Sequence, residues 1–325
     1  MQLLLGEHQA AHVVVLDKLT YAGNLANLAP VREHPRFEFV RGDICDPNVV
    51  REAMRGCDLV FNFAAETHVD RSIQDSQDVV WTNVRGTQVL LDAARELAVP
   101  RYVQISTDEV YGSRPEGRFT ETDPVQPSNP YSACKAAADL LVMSYVRTYK
   151  MPAIITRSSN NFGPYQYPEK LIPLHVTNAL EGKDLPVYGD GSNVRDWIFV
   201  EDNCRAIECV GRQGRDGEIY NIAGGNERPN RWIVDQIIQW TGVDPARKRF
   251  VTDRPGHDFR YAIEDAKVRA LGWAPRATFE AALRRTVEWY RDNEAWWRPI
   301  KSGEFAAYYK SMYEGRGEAR RVEGA

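Results

Sequence analysis

The clearest chemical signal in the sequence is a pair of adjacent carboxyl side chains behind a short apolar run. Asp108 and Glu109 follow Ser106 and Thr107, directly after the run at residues 102–105. If that run is a strand of an open parallel sheet, the pair lies where ligands collect. Adjacent carboxylates repel each other and raise each other's pKa, so one can stay protonated as an acid while the other acts as a base. On an exposed surface the pair would have no function, and the strand end favours catalysis.

A second signal is the spacing of Tyr131 and Lys135, which are one helical turn apart and would share a helix face. A nearby ammonium stabilises a phenolate, which predicts a lowered tyrosine pKa and a base able to take a proton from an alcohol. The spacing often arises by chance. It gains weight because the pair lies about 25 residues past Ser106 and Thr107 in a chain with dinucleotide-fold features.

Three further strand ends carry residues suited to a dinucleotide. Asp17 ends an apolar run, where an acid can bind the adenosine ribose hydroxyls and disfavour a 2′-phosphate. It could equally be a turn residue or a helix cap. Asp43 and Ile44 follow the next run and suit contact with adenine, with the same alternative. Small residues in the stretch 64–68 would allow close approach of the backbone to a ligand, or tight packing of a helix on a strand.

The elements that must position these residues are predicted by the hydrophobic pattern. Helical segments alternate with short apolar runs at residues 13–16, 37–40, 59–63, 102–105 and 153–156. In the segment 82–97, for example, Leu90, Ala93, Ala94 and Leu97 share one helix face. This alternation predicts an α/β fold with a Rossmann-like, doubly wound parallel sheet.

The pattern loosens after Asn161, where Gly-, Pro- and Tyr-rich stretches precede helical segments at 202–211, 231–241 and 279–293. We therefore expect a Rossmann-like domain over residues 1–161. Residues 162–314 would form mainly a smaller mixed α/β substrate-binding domain, with some segments returning to the first sheet. Residues 315–325 are polar and charged and predict a flexible tail.

Composition narrows the class of protein. A net charge of −4 gives no reason to expect nucleic-acid or anionic-membrane binding. No apolar run approaches the roughly 18–20 residues that cross a bilayer, and no secretory signal precedes the first strand. The five cysteines are scattered and lack metal-site spacing. We expect a cytoplasmic protein with reduced thiols and no metal site.

Several segments together resemble the extended short-chain dehydrogenase/reductase superfamily, and within it the dTDP-glucose 4,6-dehydratases. The resemblance runs from about residue 13 to 297, and the matching segments are LDKLTYAGN (16–24), AAETHVDRS (64–72), STDEVYG (106–112), YSACK (131–135), NNFGPYQYPEKLIP (160–173), PVYGDGSN (186–193), RDW (195–197) and DRPGH (253–257). Epimerases of the superfamily lack the Asp–Glu pair, and the decarboxylases typically keep only the Glu. Residues 160–173 resemble the dTDP-glucose enzymes rather than the GDP-mannose dehydratases.

The resemblance implies conversion of dTDP-glucose to dTDP-4-keto-6-deoxyglucose, a lyase reaction. Tyr131, assisted by Lys135 and Thr107, would deprotonate the sugar 4-hydroxyl while NAD takes the C4 hydride. Glu109 would then remove the C5 proton, which the new ketone acidifies. Asp108 would protonate the departing 6-hydroxyl, and the hydride would return to C6.

The resemblance also implies the binding residues and a homodimer paired through helices of the first domain. Without the resemblance, each substrate-contact residue would more readily be interpreted as an ordinary surface or packing residue. Lys170 and Arg195 would supply positive charge to the diphosphate. The cofactor set is Asp17, Lys18, Leu19, Thr20, Asp43, Ile44, Ala64, Ala65, Thr67, Asn83, Tyr131, Lys135 and Asn161. The substrate set is His68, Thr107, Asn160, Lys170, Leu171, Pro186, Val187, Tyr188, Arg195, Asn230, Asp253 and His257.

One departure from the family pattern concerns the N-terminus. The family opens with a strand and a glycine-rich turn that binds the pyrophosphate, whereas Gly6 is the only glycine before residue 13 here. We expect residues 2–11 to be the end of the first helix and its loop, with a central strand absent. A chain truly starting at Met1 would bind NAD weakly and be poorly stable. The alternatives are a related decarboxylase or epimerase, or a non-catalytic remnant.

Overall fold

The computed structural model describes residues 1–7, 11–302, 309, 310 and 313. The strands are β1 (Val13–Asp17), β2 (Phe37–Arg41), β3 (Val60–Asn62), β4 (Tyr102–Thr107), β5 (Ala153–Ser158), β6 (Asn160–Phe162), β7 (Leu185–Tyr188), β8 (Val194–Phe199), β9 (Ile219–Ile222), β10 (Glu227–Pro229) and β11 (Lys248–Val251). The predicted tail at 315–325 lies outside the described residues.

The helices include short single-turn elements as well as long ones. They are α1 (Gln2–Glu7), α2 (Pro47–Met54), α3 (Val69–Gln74), α4 (Gln77–Val80), α5 (Thr87–Glu96), α6 (Pro130–Tyr149), α7 (Leu171–Leu180), α8 (Val200–Gln213), α9 (Asn230–Thr241), α10 (Ala266–Arg269), α11 (Phe279–Asp292) and α12 (Glu294–Trp297). Tighter 3₁₀ turns cover Leu25–Leu28, Asp108–Tyr111 and Pro245–Arg247.

A four-stranded parallel sheet in the order β3-β4-β5-β9 forms the centre of the molecule. Side chains alternate along β5, so Ala153 and Ile155 pack with α5 and α6 on one face. Ile154 packs on the other face with α8, through Ile207 and Val210. Helices on both faces of a parallel sheet confirm the predicted doubly wound α/β fold.

The hydrogen-bonded strand order is interrupted between β1 and β3. β1 pairs in parallel with β2, and β3 pairs with β4, but no strand among the described residues pairs with the other edge of β1. Strand β1 is only half-buried, whereas every residue of β5 is buried. Arg36 holds the N-terminal segment nearby, since its guanidinium donates to the carbonyls of Leu5 at 2.9 Å and Ala11 at 2.7 Å.

The helix predicted over residues 82–97 is regular only from Thr87. The preceding turns, Trp81–Gly86, are π-helical. At Gly86 any Cβ would clash with Ile44, so the backbone approaches the core more closely than a side chain allows. Asn83, within this wider stretch, is bonded to the loop after β3.

A second core lies beyond β5. It packs Val176 of α7, Ile233 of α9 and Leu283 of α11 against the small sheets β10-β8-β6 and β11-β7. Strand β9, although late in the chain, belongs to the first sheet. Within the part of the chain that the structure describes, no helix is both long and apolar enough to span a membrane, and no cluster of metal-ligating side chains occurs.

Candidate active site

The end of strand β4 carries the carboxyl pair into a 3₁₀ turn. The Thr107 hydroxyl oxygen caps this turn by accepting the Glu109 N–H at 3.3 Å, and the hydroxyl donates to Asp108 Oδ1 at 3.2 Å. The turn stops at Gly112, whose φ of 80° and close approach to the Gln126 carbonyl both require glycine. Local turn chemistry therefore fixes both carboxyl groups beside the strand end.

The two carboxyl groups are incompletely bonded. Asp108 is only 2% exposed and Glu109 is half-buried, and the buried oxygens Asp108 Oδ2 and Glu109 Oε2 have no hydrogen-bond partner among the described residues. Burial raises the pKa of Asp108 well above its usual range, and the charges of Glu109 and Asp196 raise it further. The repulsion predicted from the sequence is thus present, but burial contributes more.

Glu109 differs from Asp108 in its electrostatic surroundings. Burial also raises the pKa of Glu109, but the cations Arg254, Arg195 and Lys170 oppose that rise. Glu109 therefore loses its proton more readily than Asp108 does. The pair offers one group suited to donate a proton and one suited to accept it.

Helix α6 begins with a well-formed cap that places Tyr131 in its first turn. The Asn129 side chain accepts the Ser132 N–H at 2.9 Å, the Ser132 hydroxyl accepts the Asn129 N–H, and Pro130 occupies the first helical position. One turn later, Lys135 Nζ donates to the Ile105 carbonyl of β4 at 2.5 Å. The helix start therefore brings the Tyr–Lys pair to the strand that carries Asp108.

The predicted lowering of the Tyr131 pKa is wrong for the protein without ligands. Burial raises the pKa of Tyr131, the carboxylates of Glu109 and Asp108 raise it further, and a hydrogen bond to Thr107 opposes them. Burial likewise lowers the pKa of Lys135 to about 8, against the charge of Asp139. The sequence argument counted the ammonium and left out desolvation, which is the larger effect here.

The residues at the ends of β1 and β2 are mostly polar and at least partly exposed, and Ile44 is the exception. Asp17 Oδ1 accepts the Leu19 N–H at 2.7 Å, and Leu19 adopts a left-handed φ of 56°. Lys18 and Asp43 form an ion pair at 2.8 Å. Ile44 lies in the hydrophobic core, so its side chain is a packing group and does not face the strand ends.

Asn83 positions the loop after β3. Its side-chain amide accepts the Glu66 N–H and donates to the Glu66 carbonyl, both at 2.9 Å. The loop also includes Ala64 and Ala65, and its Thr67 carbonyl accepts Lys170 Nζ at 2.7 Å. The side-chain amide of Asn83, a residue predicted to bind the cofactor, is thus bonded to the backbone of the loop after β3.

A buried carboxylate joins the turn after β1 to the loop before α7. Glu169 accepts the hydroxyl of Tyr21 at 2.8 Å and Arg71 Nε at 3.4 Å, and Gly23 N–H closes that turn on the Thr20 carbonyl at 2.8 Å. His68, predicted to contact substrate, caps α3 by accepting the Arg71 N–H at 3.4 Å. Burial lowers the pKa of His68 well below its usual range, so the imidazole is neutral.

Three cations face the carboxyl pair, and one of them was missed in the sequence. Arg195 is buried, which lowers its pKa, and it donates to the carbonyls of Val194 at 2.7 Å and Asp258 at 2.9 Å. Arg254 donates to Asp70 at 3.1 Å, while its Nε is buried without a partner. Its signal was the DRPGH segment, in which it stands next to the predicted Asp253.

The predicted substrate residues divide into polar groups at the cleft and packing groups. Asn160 and Asn230 each bury an amide oxygen without a partner, as does Asn161 of the cofactor set. In contrast, Val187 and Leu171 pack in the second core, and Pro186 is buried there with its carbonyl bonded to a histidine ring. The structure therefore does not bring the side chains of Leu171, Pro186 and Val187 to the polar site.

Tyr188 and His257 lie side by side. The Tyr188 hydroxyl donates to Asp70 at 3.1 Å, and the two rings meet edge to face at 6.0 Å. His257 Nδ1 lies 2.6 Å from Asp253 Oδ1. Burial, together with Arg254, lowers the pKa of His257 to about 4, although the Asp253 carboxylate opposes this.

A doubly wound sheet with Tyr131 and Lys135 on one helix and a carboxyl pair at the adjoining strand end defines an enzyme of the extended short-chain dehydrogenase/reductase superfamily. A profile of the family described as GDP-mannose 4,6 dehydratase matches residues 1–286. The chain belongs to that family, and within it to the dTDP-glucose 4,6-dehydratases, as the following relatives show.

Two relatives and one solved structure illustrate the similarity. A dTDP-glucose 4,6-dehydratase from Streptomyces niveus is 53% identical over 295 residues, covering 90% of this chain and 88% of the relative. The low-salt glycan biosynthesis protein Agl12 from Haloferax volcanii is 54% identical over 278 residues, covering 86% and 90%. The crystal structure of DesIV, a dTDP-glucose 4,6-dehydratase from Streptomyces venezuelae with NAD bound, has a TM-score of 0.90 at 51% identity and covers 92% of this chain and 94% of its own.

Proposed function

We propose that this chain converts dTDP-glucose to dTDP-4-keto-6-deoxyglucose with NAD as its cofactor. The observation that carries the proposal is the adjacent pair Asp108 and Glu109, each with one buried carboxyl oxygen that has no partner among the described residues. Elimination of water needs a base at C5 and an acid at the 6-hydroxyl together. Burial raises both pKa values, but nearby cations oppose the rise at Glu109, so Asp108 suits the role of acid and Glu109 that of base in one turn of chain.

The chain's own groups carry the proton transfers. Tyr131, in a phenolate form that the Lys135 ammonium and the Thr107 hydroxyl stabilise, takes the proton of the sugar 4-hydroxyl and becomes a neutral phenol. Glu109 takes the proton from C5, which is acidic once C4 is a ketone. Asp108 gives its proton to the 6-hydroxyl as the C6–O bond breaks, so water leaves. When bound, NAD would accept the C4 hydrogen as hydride and supply it to C6, and Glu109 would return a proton to C5 to complete the product.

The residues present fit a dinucleotide beside the sheet. The exposed Asp17 carboxylate stands at the carboxyl end of a parallel strand, where it suits ribose hydroxyls. The buried amide oxygen of Asn161 has no partner among the described residues. We assign these residues, with Lys18, Asp43 and the backbone of the loop after β3, to the cofactor.

The nucleotide diphosphate is assigned to the other side of the cleft. Arg254, Arg195 and Lys170 gather positive charge that acts on Glu109, in a chain of net negative charge. Phosphate oxygens would complete the bonds that the Arg254 Nε leaves open. Asn160 and Asn230 then supply polar contacts. We accordingly propose residues 1–161 as the cofactor domain and residues 162–314 as mainly the substrate domain.

We also propose a cytoplasmic homodimer that pairs through helices of the cofactor domain. Two large apolar side chains support this interface, since Leu140 on α6 is 62% exposed and Trp81 is 55% exposed. Light scattering on the purified chain tests the pairing. A monomer at micromolar concentration would contradict it.

The reaction is tested by incubating the purified chain with dTDP-glucose and NAD and analysing the mixture by mass spectrometry. We expect a product lighter by one water. An epimerase would give a product of unchanged mass, and an inert chain would return dTDP-glucose. Glu52→Gln, a change at an exposed carboxylate, is the matched control and should leave the yield unchanged.

A further inference from the structure

A buried ion pair on helix α6 takes no part in the chemistry described above. Asp139 lies one helical turn beyond Lys135 and is buried. Its Oδ2 accepts Nε of Arg157 at 2.9 Å and the Ser106 hydroxyl at 3.0 Å, while Oδ1 has no partner. Buried ion pairs are often no more stabilising than apolar side chains of the same size. Its place in the fold therefore calls for another explanation.

The ion pair connects the three elements that carry the catalytic groups. Ser106 and Arg157 are directly opposite each other on β4 and β5. Asp139 reaches both of them from α6, while Lys135 donates to the carbonyl of Ile105, the residue before Ser106. Two consecutive turns of α6 are thus bonded to two consecutive residues of β4, immediately before the residue that caps the catalytic turn.

We propose that Asp139 is a positioning residue whose bonds to Ser106 and Arg157 align helix α6 with the end of β4, and whose charge keeps Lys135 in its ammonium form there. The assigned role of Lys135 rests on the proposed function. Burial lowers the pKa of Lys135 to about 8, and the Asp139 carboxylate opposes this. Removing that carboxylate lets the ammonium lose its proton closer to neutral pH.

The other charged groups around this pair are accounted for. Arg157 lies 4.6 Å from the centre of the Tyr111 ring and is paired with Asp139. Asp108 and Glu109, in the 3₁₀ turn, act on Tyr131 rather than on Lys135. Of these charged groups, the Asp139 carboxylate therefore has the largest electrostatic effect on Lys135.

The test is an NMR titration that follows the ε-carbon signals of the lysines in folded, carbon-13-labelled protein. The Lys135 signal is assigned as the one that is absent from the spectrum of the variant Lys135→Arg. It needs neither NAD nor sugar, so an inactive chain would not affect the result. We expect a wild-type midpoint at about pH 8. In Asp139→Asn the midpoint should fall by about one pH unit or more. An unchanged midpoint in the folded variant would overturn the proposal.

Two variants separate charge from general destabilisation. Asp139→Glu keeps the charge and should bring the midpoint back towards that of the wild type. Asp202→Asn changes another buried carboxylate, one that accepts the N–H groups of Arg276 at 2.9 Å and Ala277 at 3.2 Å. It should lower the melting temperature without moving the Lys135 midpoint. A shift in Asp202→Asn equal to that in Asp139→Asn would count against a specific role.

A double variant covers the case in which Asp139→Asn does not fold. Asp139→Asn with Arg157→Gln removes both charges, so no unpaired guanidinium stays buried. Circular dichroism establishes that the variant is folded. The same downward shift of the Lys135 midpoint is expected, and a midpoint equal to that of the wild type would refute the role of Asp139.

Discussion

At the scale of single residues, Asp108 and Glu109 are neighbours in the chain that meet different surroundings. Asp108 faces two further carboxylates, whereas three cations act on Glu109. The sequence predicted the pair and its place at a strand end, because both are local features. For Arg254 it offered only membership of the DRPGH segment and no role, because tertiary packing brings this residue to the pair from more than a hundred residues away.

The role of Glu109 is tested by Glu109→Gln. The amide cannot take the C5 proton, so exchange of that hydrogen with deuterated water should fall about 100-fold or more. Binding of dTDP-glucose should change by less than about threefold, since the shape is kept. Proton NMR and calorimetry measure the two quantities. Turnover at the wild-type rate would remove Glu109 from the mechanism.

The cation beside Glu109 gives a prediction about pH. Arg254 lowers the pKa of Glu109, so Arg254→Met should raise it. Because Glu109 must be ionised to act as a base, the acidic limb of kcat against pH should move to higher pH by about one unit. Arg254→Lys restores the charge and should restore most of the profile. A limb that stays in place in Arg254→Met would show that this charge does not tune the base.

The buried Asp108 side chain should also lower the stability of the protein at neutral pH. The pKa of Asp108 lies higher in the folded state than in the unfolded state. Its favourable contribution to folding is therefore present below the unfolded-state pKa and is lost as pH rises through the folded-state pKa. Asp108→Asn removes this loss. Its melting temperature should exceed that of the wild type by about 2–4 °C at pH 8 and by less at pH 4. Calorimetry at both values measures this, and an advantage that shrinks with rising pH would contradict the assignment.

At the scale of elements, the strand positions were predictable and several boundaries were not. Short apolar runs located β1 to β5 because buried parallel strands are rich in Val, Ile and Leu. Strand β4 extends through Ser106 and Thr107, which the apolar pattern left out because both are polar. Their hydroxyl groups are used in the fold, since Ser106 is bonded to Asp139 and Thr107 caps the turn. The π-helical stretch before α5 was not predicted either, since the helical pattern over 82–97 is continuous through it.

The link between Tyr21 and Glu169 belongs to this scale because it joins two loops 148 residues apart. Tyr21→Phe leaves the buried carboxylate one hydrogen bond short and should destabilise the protein by about 1–3 kcal/mol. Tyr149→Phe, at an exposed tyrosine, is the matched control and should change stability by less than about 0.5 kcal/mol. Urea unfolding measures both. Equal effects in the two variants would show that the link is not specific.

At the scale of the whole molecule, the parallel strands differ in how fully they are paired and buried. Strands β4 and β5 have paired neighbours on both sides, while β1 and β2 form a separate half-buried pair. The hydrophobic core around the four-stranded sheet could be predicted from the regular alternation of apolar runs and helical segments. The second core could not, because its small sheets come from short, scattered strands whose pairing is fixed only by long-range packing.

The divided sheet predicts uneven protection of backbone amides. Amides of β1 and β2 should exchange with deuterated water at least about tenfold faster than those of β4 and β5, since local opening there breaks fewer buried contacts. Hydrogen exchange followed by mass spectrometry resolves the two regions. Equal protection would show that the strand pair opens only with the whole molecule.

The central claim is that the sugar is oxidised at C4, loses water across C5 and C6, and recovers its original C4 hydrogen at C6. The most direct test supplies dTDP-glucose carrying deuterium at C4, with unlabelled NAD, and locates the label in the product by NMR. The account predicts a 4-keto-6-deoxy sugar with deuterium in its C6 methyl group. Label that stays at C4 in a product of unchanged mass, or a methyl group without deuterium, would contradict it.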